Sequence, residues 1–298
     1  MKVLVTGASG LIGSALCTTL VEKGHDIGRL QRREGAPGEP WWNPLAGEVH
    51  LGTFAQPDAV VHLAGDNIAS GRWTTRKKAR IRESRVVGTQ LLVEHLVGLE
   101  KKPRVLLSAS AIGYYGDCGD RTLSEEAPAG SDFLAEVCEQ WEAATAAAGK
   151  AGIRVVRLRT GVVLSGSGGA LQKMLTPFKL GAGGILGDGS QYMSWISIQD
   201  VVGSLLWLLE QESIAGPVNL VSPTAVTNLQ FTKALGKVLS RPTIVPMPAP
   251  IVRLLFGQMG EELLLASARV TPRVLEDGGY TFQHTALEEA LRHVLQQR

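Results

Sequence analysis

The sequence predicts an α/β fold, in which a doubly wound parallel sheet carries helices on both faces and a smaller C-terminal lobe completes the chain. Short apolar runs rich in β-branched residues alternate with helical segments over about the first 165 residues. Such runs are typical of strands buried on both faces of a parallel sheet. A glycine-rich turn follows the first run, and glycine-rich loops and amphipathic helices dominate after residue 165. Together these features favour one large α/β domain with an appended lobe.

The composition limits the classes of function. The chain has 298 residues, of which 44% are hydrophobic and 19% charged, with a net charge of +2. Because both signs are interspersed, we expect no nucleic-acid partner and no membrane partner. No apolar run reaches the roughly 18 residues of a membrane span. Three distant cysteines and six histidines without ligand spacing predict no metal site, and we expect a cytoplasmic protein.

The predicted elements follow one another along the chain, and right-handed crossovers between parallel strands give the doubly wound order. The predicted strands are KVLVTG (2–7), DIGRLQR (26–32), DAVVHLAG (58–65), RVLLSAS (104–110), IRVVRLRTGVVL (153–164) and GPVNLV (216–221). The main predicted helices are SALCTTLVEKG (14–24), SRVVGTQLLVEHLVGL (84–99), residues 131–144, SIQDVVGSLLWLLEQ (197–211) and NLQFTKALGKVL (228–239), followed by a proline-rich strand TIVPMPAP (243–250). We assign residues 1–165, completed by about 196–222, to a nucleotide-binding domain, and residues 166–195 and 223–298 to the lobe.

The turn TGASGLIG (6–13) joins the first strand to the first helix. Gly7 and Gly10 are expected to permit positive φ and close approach of a ligand, and Gly13 to let helix and strand pack closely. Free amides and the helix dipole at this position suit a pyrophosphate. The predicted cofactor-binding residues here are Gly7, Ser9, Gly10, Leu11, Ile12 and Gly13, in a Rossmann-type domain.

The end of the second strand selects between NAD and NADP. An acidic residue about 20 positions beyond the glycines would bind the ribose hydroxyls of NAD. Gln31, Arg32 and Arg33 occupy that region instead, and arginine matches a phosphate bidentately. We therefore predict NADP, with Arg32 on the 2′-phosphate. A solvated basic turn is the alternative, and Glu34 is a weaker argument for NAD because it lies beyond the predicted strand.

The third strand ends in HLAG, at the carboxyl edge of the sheet where doubly wound folds bind ligands. Leu63 and Ala64 are expected to line the adenine side of the cofactor site. Gly65 is expected to leave room for the backbone to approach the cofactor. His62 is more readily explained as a buried strand residue than as a catalytic group.

Several motifs resemble a known superfamily. TGASGLIG, VVHLAG, GTQLLVEHL and VLLSASAIGYYGD occur in the order of the extended short-chain dehydrogenase/reductases. AGDNIASGRWT, ESRVVGTQLL, RTGVVLSGSGGAL, PFKLGAGGILGDGSQYMSWISIQD and TPRVLEDGGYTF are similar to one branch of it. That branch is the NAD-dependent epimerase/dehydratase-like "epimerase family" proteins, which carry a C-terminal domain of unknown function. The resemblance spans essentially the whole chain.

The resemblance implies a catalytic serine and a Tyr-x-x-x-Lys pair, in which the lysine cation lowers the pKa of the tyrosine. Ser108 or Ser110 fits the serine, and we prefer Ser110. Aligning Glu142 with the acidic residue that commonly follows the lysine places Leu134 and Cys138 at the pair positions. Residues 131–149 contain no tyrosine and no lysine, so the usual pair is absent.

Three interpretations follow. In the first, Tyr114 or Tyr115 does the proton chemistry with help from Arg85 or Arg159, the alternative for these rings being that they shape the nicotinamide pocket. In the second, the protein binds NADP and has lost catalysis; in the third, another chemistry operates. We predict an NADP-binding oxidoreductase or epimerase-like protein of unknown small-molecule substrate, with a catalytically silent NADP-binding regulator or scaffold as the alternative. Further candidate cofactor contacts are Arg80, Arg85, Ser108 and Arg159, each with a structural alternative. By analogy, a homodimer would form through residues 84–99 and 132–148.

Overall fold

The computed structural model describes residues 1–32 and 35–296, and it centres on one six-stranded sheet. The strands are β1 (Lys2–Thr6), β2 (Asp26–Leu30), β3 (Ala59–His62), β4 (Val105–Ala111), β5 (Arg154–Thr160) and β6 (Gly216–Leu220). Their spatial order is β6-β5-β4-β3-β1-β2, and each neighbouring pair is parallel. The order reverses at β1, so the carboxyl ends of β1 and β3 flank the topological switch point. The predicted Rossmann-type α/β fold class is confirmed.

Helices cover both faces of the sheet and build the lobe. They are α1 (Leu11–Glu22), α2 (Thr75–Val97), α3 (Phe133–Ala143), α4 (Ala146–Lys150), α5 (Gly169–Lys179), α6 (Ile198–Glu210), α7 (Asn228–Leu239), α8 (Ala249–Phe256), α9 (Gln258–Gly260), α10 (Arg273–Asp277) and α11 (Leu287–Gln296). Short 3-10 turns span Gly52–Phe54 and Ile112–Tyr115, and a π turn spans Glu261–Leu265. Short strand pairs join Trp41–Asn43 to Glu48–His50, Val162–Leu164 to Trp195–Ser197, Tyr192–Met193 to Val226–Thr227, and Thr122–Leu123 to Arg269–Val270.

Two predicted boundaries differ from the structure. Helix α2 begins at Thr75 rather than at residue 84, because Thr74 caps it by accepting a hydrogen bond from the Lys77 amide. The proline-rich segment 243–250 does not form the predicted strand. Its strand pairing with residues 184–189 is an isolated bridge between Leu186 and Met247, since proline cannot donate to a strand ladder.

Side chains that alternate along the strands pack into two separate cores, one on each face of the sheet. In β1, Val3 and Val5 face the core that packs against α1 and α6, whereas Leu4 faces the core that packs against α2 and α4. The same alternation continues through the central strands, so both faces of the sheet are covered. A third core, which contains Trp195 and Phe231, joins α5, α7 and α11 in the lobe. Within the described ranges, no helix is long and apolar enough to cross a bilayer.

The buried Asp200 carboxylate links the C-terminal segment to α6 through hydrogen bonds. The Asp200 carboxylate accepts hydrogen bonds from the Ser197 hydroxyl at 2.8 Å and from the backbone amides of Gln283 at 2.7 Å and His284 at 3.0 Å. The Ser197 hydroxyl in turn accepts from the Asp200 amide and caps the helix. Because Asp200 is fully buried, little water can replace these hydrogen bonds if its carboxylate is removed.

A chain of buried hydrogen bonds ties β1 to β3, α2 and α3. The Thr6 hydroxyl oxygen accepts from the Leu63 and Ala64 amides, both at 3.1 Å, and lies 2.7 Å from Nδ1 of His62. With both lone pairs used, Thr6 donates its proton to Nδ1. His62 Nε2 then carries the ring proton and donates to the Thr89 hydroxyl at 2.9 Å, which also accepts from the Trp141 indole at 2.9 Å. His62 is therefore a neutral, buried linker, and burial lowers its pKa to about 4.

We expect Asp200→Ala to lower the free energy of unfolding by about 3 kcal/mol, because it leaves one hydroxyl and two amides without their acceptor. Denaturant unfolding measures the change. Asp277→Ala is the matched control: its carboxylate is exposed and pairs with Arg273 one turn away, so the variant should change stability by less than about 0.5 kcal/mol. Equal effects for the two variants would contradict the assignment.

Protonation of His62 should destabilise the fold below neutral pH. Its folded pKa of about 4 lies below the ordinary value of 6.5, so the unfolded state binds more protons between these values. The stability from neutral His62 is present above pH 6.5 and is lost as the pH falls to about 4, amounting to about 3 kcal/mol. Urea unfolding of wild type and His62→Asn across this range should show a steeper loss for wild type. His50→Asn, on the exposed hairpin, controls for removing a histidine, and parallel wild-type and His62→Asn curves would contradict the account.

Candidate functional site

The glycine loop lies at the switch point, with its backbone against the end of β3. Gly7 has φ +66°, and a Cβ on it would lie 2.8 Å from the Leu63 carbonyl carbon. A Cβ on Gly13 would lie 2.2 Å from the Gly7 carbonyl oxygen, so the predicted close packing of helix and strand is confirmed. The prediction of positive φ at Gly10 is wrong. Gly10 is the N-cap residue of α1 and has φ −77° in the extended region, as N-caps do.

The start of α1 leaves its amides available. In the part of the chain that the structure describes, no side chain caps this helix and no acidic residue stands in its first turn. Ser9 and Gly10 are exposed at the edge of the sheet, and Leu11 and Ile12 are half-buried. Leu11 extends toward the lobe, where a Cβ on Gly169 would come within 3.0 Å of its side chain. The loop therefore presents free donors at the positive end of a helix dipole.

The end of β3 forms the opposite wall. Leu63 and Ala64 are half-buried and held by their amides on the Thr6 hydroxyl, and Gly65 is exposed. A Cβ on Gly65 would lie 3.3 Å from the guanidinium carbon of Arg85. Gly65 thus lets a cation from α2 approach the backbone at the switch point.

At the end of β2, Gln31 and Arg32 are exposed. The Gln31 backbone binds the returning chain through Pro40 and Trp42, which leaves its side chain at the surface. Arg32 makes no hydrogen bond or ion pair with any described residue. Arg33 and Glu34 lie outside the described residues. A free guanidinium therefore stands where the sequence predicts the cofactor's 2′-phosphate.

Ser110 and Arg159 belong to one buried network organised by Glu142. Ser110 Oγ donates to Glu142 Oε1 at 2.8 Å. Arg159 binds both carboxylate oxygens, Nε to Oε1 at 2.8 Å and Nη2 to Oε2 at 2.9 Å. Its Nη1 donates to the Tyr115 hydroxyl and to the Glu125 carbonyl. The Arg159 guanidinium is thus committed to protein acceptors, and the hydroxyl proton of Ser110 points at a carboxylate that cannot return one.

Tyr114 follows Ser110 in the 3-10 turn at the carboxyl edge of β4. It is half-buried, with the Arg159 guanidinium 3.5 Å from its ring centroid and the Tyr115 ring edge-to-face at 5.3 Å. Tyr115 is fully buried and donates to Asn219 on β6 at 2.7 Å. Of the two tyrosines, only Tyr114 keeps a hydroxyl without a hydrogen bond to the described residues.

Apolar groups fill the positions expected for the tyrosine and lysine. Leu134 lies in the first turn of α3 and packs on the turn after β4, where a Cβ on Gly113 would come within 3.3 Å of it. Cys138 is buried one turn later, and burial raises the pKa of its thiol to about 12. Neither side chain can transfer a proton to a substrate oxygen near neutral pH.

Cations from α2 surround Asp66, which follows Gly65. Lys77 Nζ donates to Asp66 Oδ2 at 2.5 Å, Asn67 O at 2.6 Å and Ser70 Oγ at 2.7 Å. Arg80 binds the same carboxylate and is largely exposed. Although burial opposes it, hydrogen bonds from Lys77 and Arg80 hold the pKa of the Asp66 carboxyl below its ordinary value. This arrangement fixes the loop that leaves β3.

Arg85 and Ser108, two further predicted cofactor-binding residues, have different surroundings. Arg85 donates through Nη1 to the Asp66 and Ile81 carbonyls, both at 3.1 Å, and its guanidinium lies 5.0 Å from the Trp141 ring. Its Nε and Nη2 have no hydrogen-bond partner among residues 1–32 and 35–296. Ser108 is buried in the middle of the sheet, paired in register with His62, and its hydroxyl has no partner in the described structure.

The sequence alone did not indicate the roles of Glu142 and Lys77. Glu142 was used only to set the register of α3, yet it is the acceptor that orients Ser110. Lys77 was not singled out, although it organises the loop beside the switch point. The sequence offered only an acid three positions before Thr145 and a lysine three positions after Thr74.

Two family models match the chain. The NAD dependent epimerase/dehydratase family matches residues 3–220, and a domain of unknown function, DUF1731, matches residues 247–294. The epimerase family protein MT2273 of Mycobacterium tuberculosis is 44% identical over 290 residues, which are 97% of this chain and 96% of that protein. The human epimerase family protein SDR39U1 is 35% identical over 298 residues, 99% of this chain and 100% of the relative.

Solved structures of similar proteins lead to the same family. The crystal structure of human SDR39U1 (isoform 2) with NADPH has a TM-score of 0.92 at 34% identity, with 100% of both chains covered. The nucleoside-diphosphate sugar epimerase from Corynebacterium glutamicum has a TM-score of 0.81 at 40% identity, covering 99% of this chain and 58% of that one. By sequence and by structure, the chain belongs to the NAD dependent epimerase/dehydratase family.

Proposed function

We propose that the protein binds NADP(H) across the switch point and acts as an oxidoreductase or epimerase-like protein on a small molecule. The observation that carries this is the close contact of the Gly7 backbone with the end of β3, beside the uncapped start of α1. Together they place the backbone amides at the start of α1 beside the end of β3, an arrangement that suits a pyrophosphate. The similar human protein was crystallised with NADPH, which supports the choice of cofactor.

The phosphate specificity is assigned to Arg32. Its exposed guanidinium at the end of β2 is free of described partners and lies where the adenosine ribose sits in doubly wound folds. Gln31 lies beside it at the surface and would contact the same ribose, and Arg33 is carried forward from the sequence alone. Because arginine binds phosphate bidentately, the site would prefer NADPH to NADH.

Arg85 supplies the cation that the missing lysine would provide near the nicotinamide ribose. The lysine position on α3 is taken by Cys138, and Arg85 on α2 reaches the same region, against Gly65 and over Trp141. Its free Nε and Nη2 can donate to ribose hydroxyls. Arg80 is engaged with Asp66 and largely exposed, and Arg159 is held by Glu142, so neither supports the proposal as strongly. Ser108 is buried within β4, so its hydroxyl is not exposed at the carboxyl edge of the sheet, where the cofactor is proposed to bind.

A specific observation favours the second candidate, an NADP(H)-binding protein without proton-transfer chemistry. Leu134 and Cys138 replace the acid and the cation, and Ser110 donates its proton to Glu142 rather than to the site. Tyr114 is then the side chain on which acid–base catalysis would depend. Hydride exchange with the nicotinamide is still supported by the fold, so we place the oxidoreductase first. The domain division, the cytoplasmic location and the homodimer stay predictions.

Calorimetric titration with NADPH and NADH tests the cofactor assignment. We expect NADPH to bind more tightly than NADH, because only NADPH carries the 2′-phosphate. Arg32→Ala should weaken NADPH binding by about 10- to 100-fold, as expected for a charged hydrogen bond, and should leave NADH binding unchanged. Arg121→Ala, another exposed arginine, is the matched control. Failure of both nucleotides to bind would overturn the proposed function.

Arg85→Met should weaken NADPH and NADH equally, by about tenfold, because the nicotinamide ribose is common to both cofactors. This equal loss distinguishes Arg85 from Arg32. The melting temperature of the free variant is measured alongside, since Arg85 also holds the Asp66 loop. Arg82→Met, one turn away and paired with Glu136 at the surface, serves as the control. Unchanged binding in a folded Arg85→Met protein would remove Arg85 from the site.

A further inference from the structure

Residues 72–85, which we call the basic segment, concentrate positive charge in one part of the chain. They include seven arginine or lysine residues and one acidic residue: Arg72, Arg76, Lys77, Lys78, Arg80, Arg82 and Arg85, with Glu83. The resulting net charge of +6 exceeds the +2 of the whole chain, so the remaining residues are negative overall. The small net charge of the protein therefore conceals a strong charge asymmetry.

The basic segment lies at the carboxyl edge of the sheet, beside the switch point. Helix α2 follows the loop that leaves β3. Lys77 and Arg80 bind Asp66, which directly follows Gly65. Arg85 lies against Gly65 itself. The positive charge is therefore next to the position where the cofactor is proposed to bind.

The start of α2 is an unfavourable place for cations. The positive end of a helix dipole favours acidic residues in the first turn, yet residues 75–78, all of which the structure describes, include none. Three consecutive basic residues, Arg76, Lys77 and Lys78, occupy this turn instead. Residues that oppose a local preference of the fold are expected where function requires them. The stability of α2 thus does not account for the charge of the basic segment.

Several partners of the basic segment do not cancel its charge. Arg72 and Arg85 donate to backbone carbonyls. Lys78 donates to the side-chain amide oxygen of Gln258 at 3.1 Å. These acceptors are uncharged, so they position the cations without neutralising them. Arg76 is exposed and makes no hydrogen bond or ion pair with any described residue.

The carboxylates around the basic segment are too few to neutralise it. Asp66 pairs with two of its cations, and Glu136 pairs with a third at 3.2 Å. Glu83 belongs to the segment, Asp132 caps the neighbouring helix α3, and Glu262 binds Gln258. Even together these side chains carry less charge than the seven cations. An excess of positive charge therefore faces solvent at this edge of the sheet.

We propose that the basic segment steers the polyanionic cofactor to the switch point and favours NADPH over NADH in the rate of association. This deepens the proposed function and rests on it. A surface of one sign raises the local concentration of an oppositely charged ligand, and salt weakens the effect. The 2′-phosphate adds a charge of about −1.5 to −2 near neutral pH, so NADPH is attracted more strongly. Arg32 then selects NADPH by contact, and the basic segment selects it by long-range attraction.

The test is stopped-flow fluorescence of NADPH and NADH binding, which gives association and dissociation rates, at salt concentrations from about 20 mM to about 0.5 M. We expect both association rates to fall with salt, about twice as steeply for NADPH, while the dissociation rates change little. Association rates that do not depend on salt, or that fall equally for the two nucleotides, would overturn the proposal. Equilibrium binding of NADPH is measured first, so a protein that does not bind it refutes the proposed function instead.

Arg76→Glu isolates the long-range effect, because the Arg76 side chain has no partner among the described residues. A glutamate in the first turn suits the helix dipole, so the variant should fold, as its melting temperature will show. Arg76 lies about 14 Å from Arg85 along the helix. We therefore expect NADPH association to slow about fivefold at about 20 mM salt and less than about 1.5-fold at about 0.5 M.

Lys102→Glu is the matched control. It makes the same change of charge at an exposed position before β4, at the opposite edge of the sheet, and should slow NADPH association by less than about twofold at either salt concentration. Equal slowing in the two variants would mean that only the net charge of the protein matters. An effect of Arg76→Glu on the dissociation rate alone would mean that Arg76 contacts the cofactor. Either result would overturn the proposal.

Discussion

The site depends on the close approach of the Gly7 backbone to the end of β3. That approach is possible because Gly7 has no side chain, and it is held because the Thr6 hydroxyl binds two amides of the neighbouring strand. Thr6 can do this only while Nδ1 of His62 accepts the hydrogen bond from its hydroxyl, and His62 is in turn oriented by Thr89. One buried, neutral histidine thus sets the geometry of the loop proposed to carry the cofactor phosphates.

Residues 131–149 contain neither the tyrosine nor the lysine that the resemblance to the superfamily implies. Glu142 and Arg159 form a buried ion pair with two hydrogen bonds, and the same carboxylate accepts a hydrogen bond from the Ser110 hydroxyl. Leu134 and Cys138 are both buried on α3. In the proposed function, proton-transfer chemistry would therefore depend on Tyr114.

Periodicity and glycine spacing predicted the sheet, its helices and the glycine loop between β1 and α1, because these depend on local pattern. The start of α2 was missed because residues 75–83 are mostly basic and show no apolar stripe, while the capping by Thr74 is a weaker signal. The buried partners of Ser110 and Arg159 could not be predicted, since Glu142 is distant in sequence and its role depends on the packing of α3 on β4. Gly10 was misread because an N-cap glycine and a turn glycine look alike in sequence.

A crystal structure of the protein with NADPH is the most direct test of the central claim. The account predicts the pyrophosphate over residues 7–13 and the 2′-phosphate within hydrogen-bond distance, about 2.8 Å, of the Arg32 guanidinium. It also predicts the nicotinamide ribose against Arg85. A nucleotide bound elsewhere, or a 2′-phosphate held by other side chains with Arg32 turned to solvent, would contradict it.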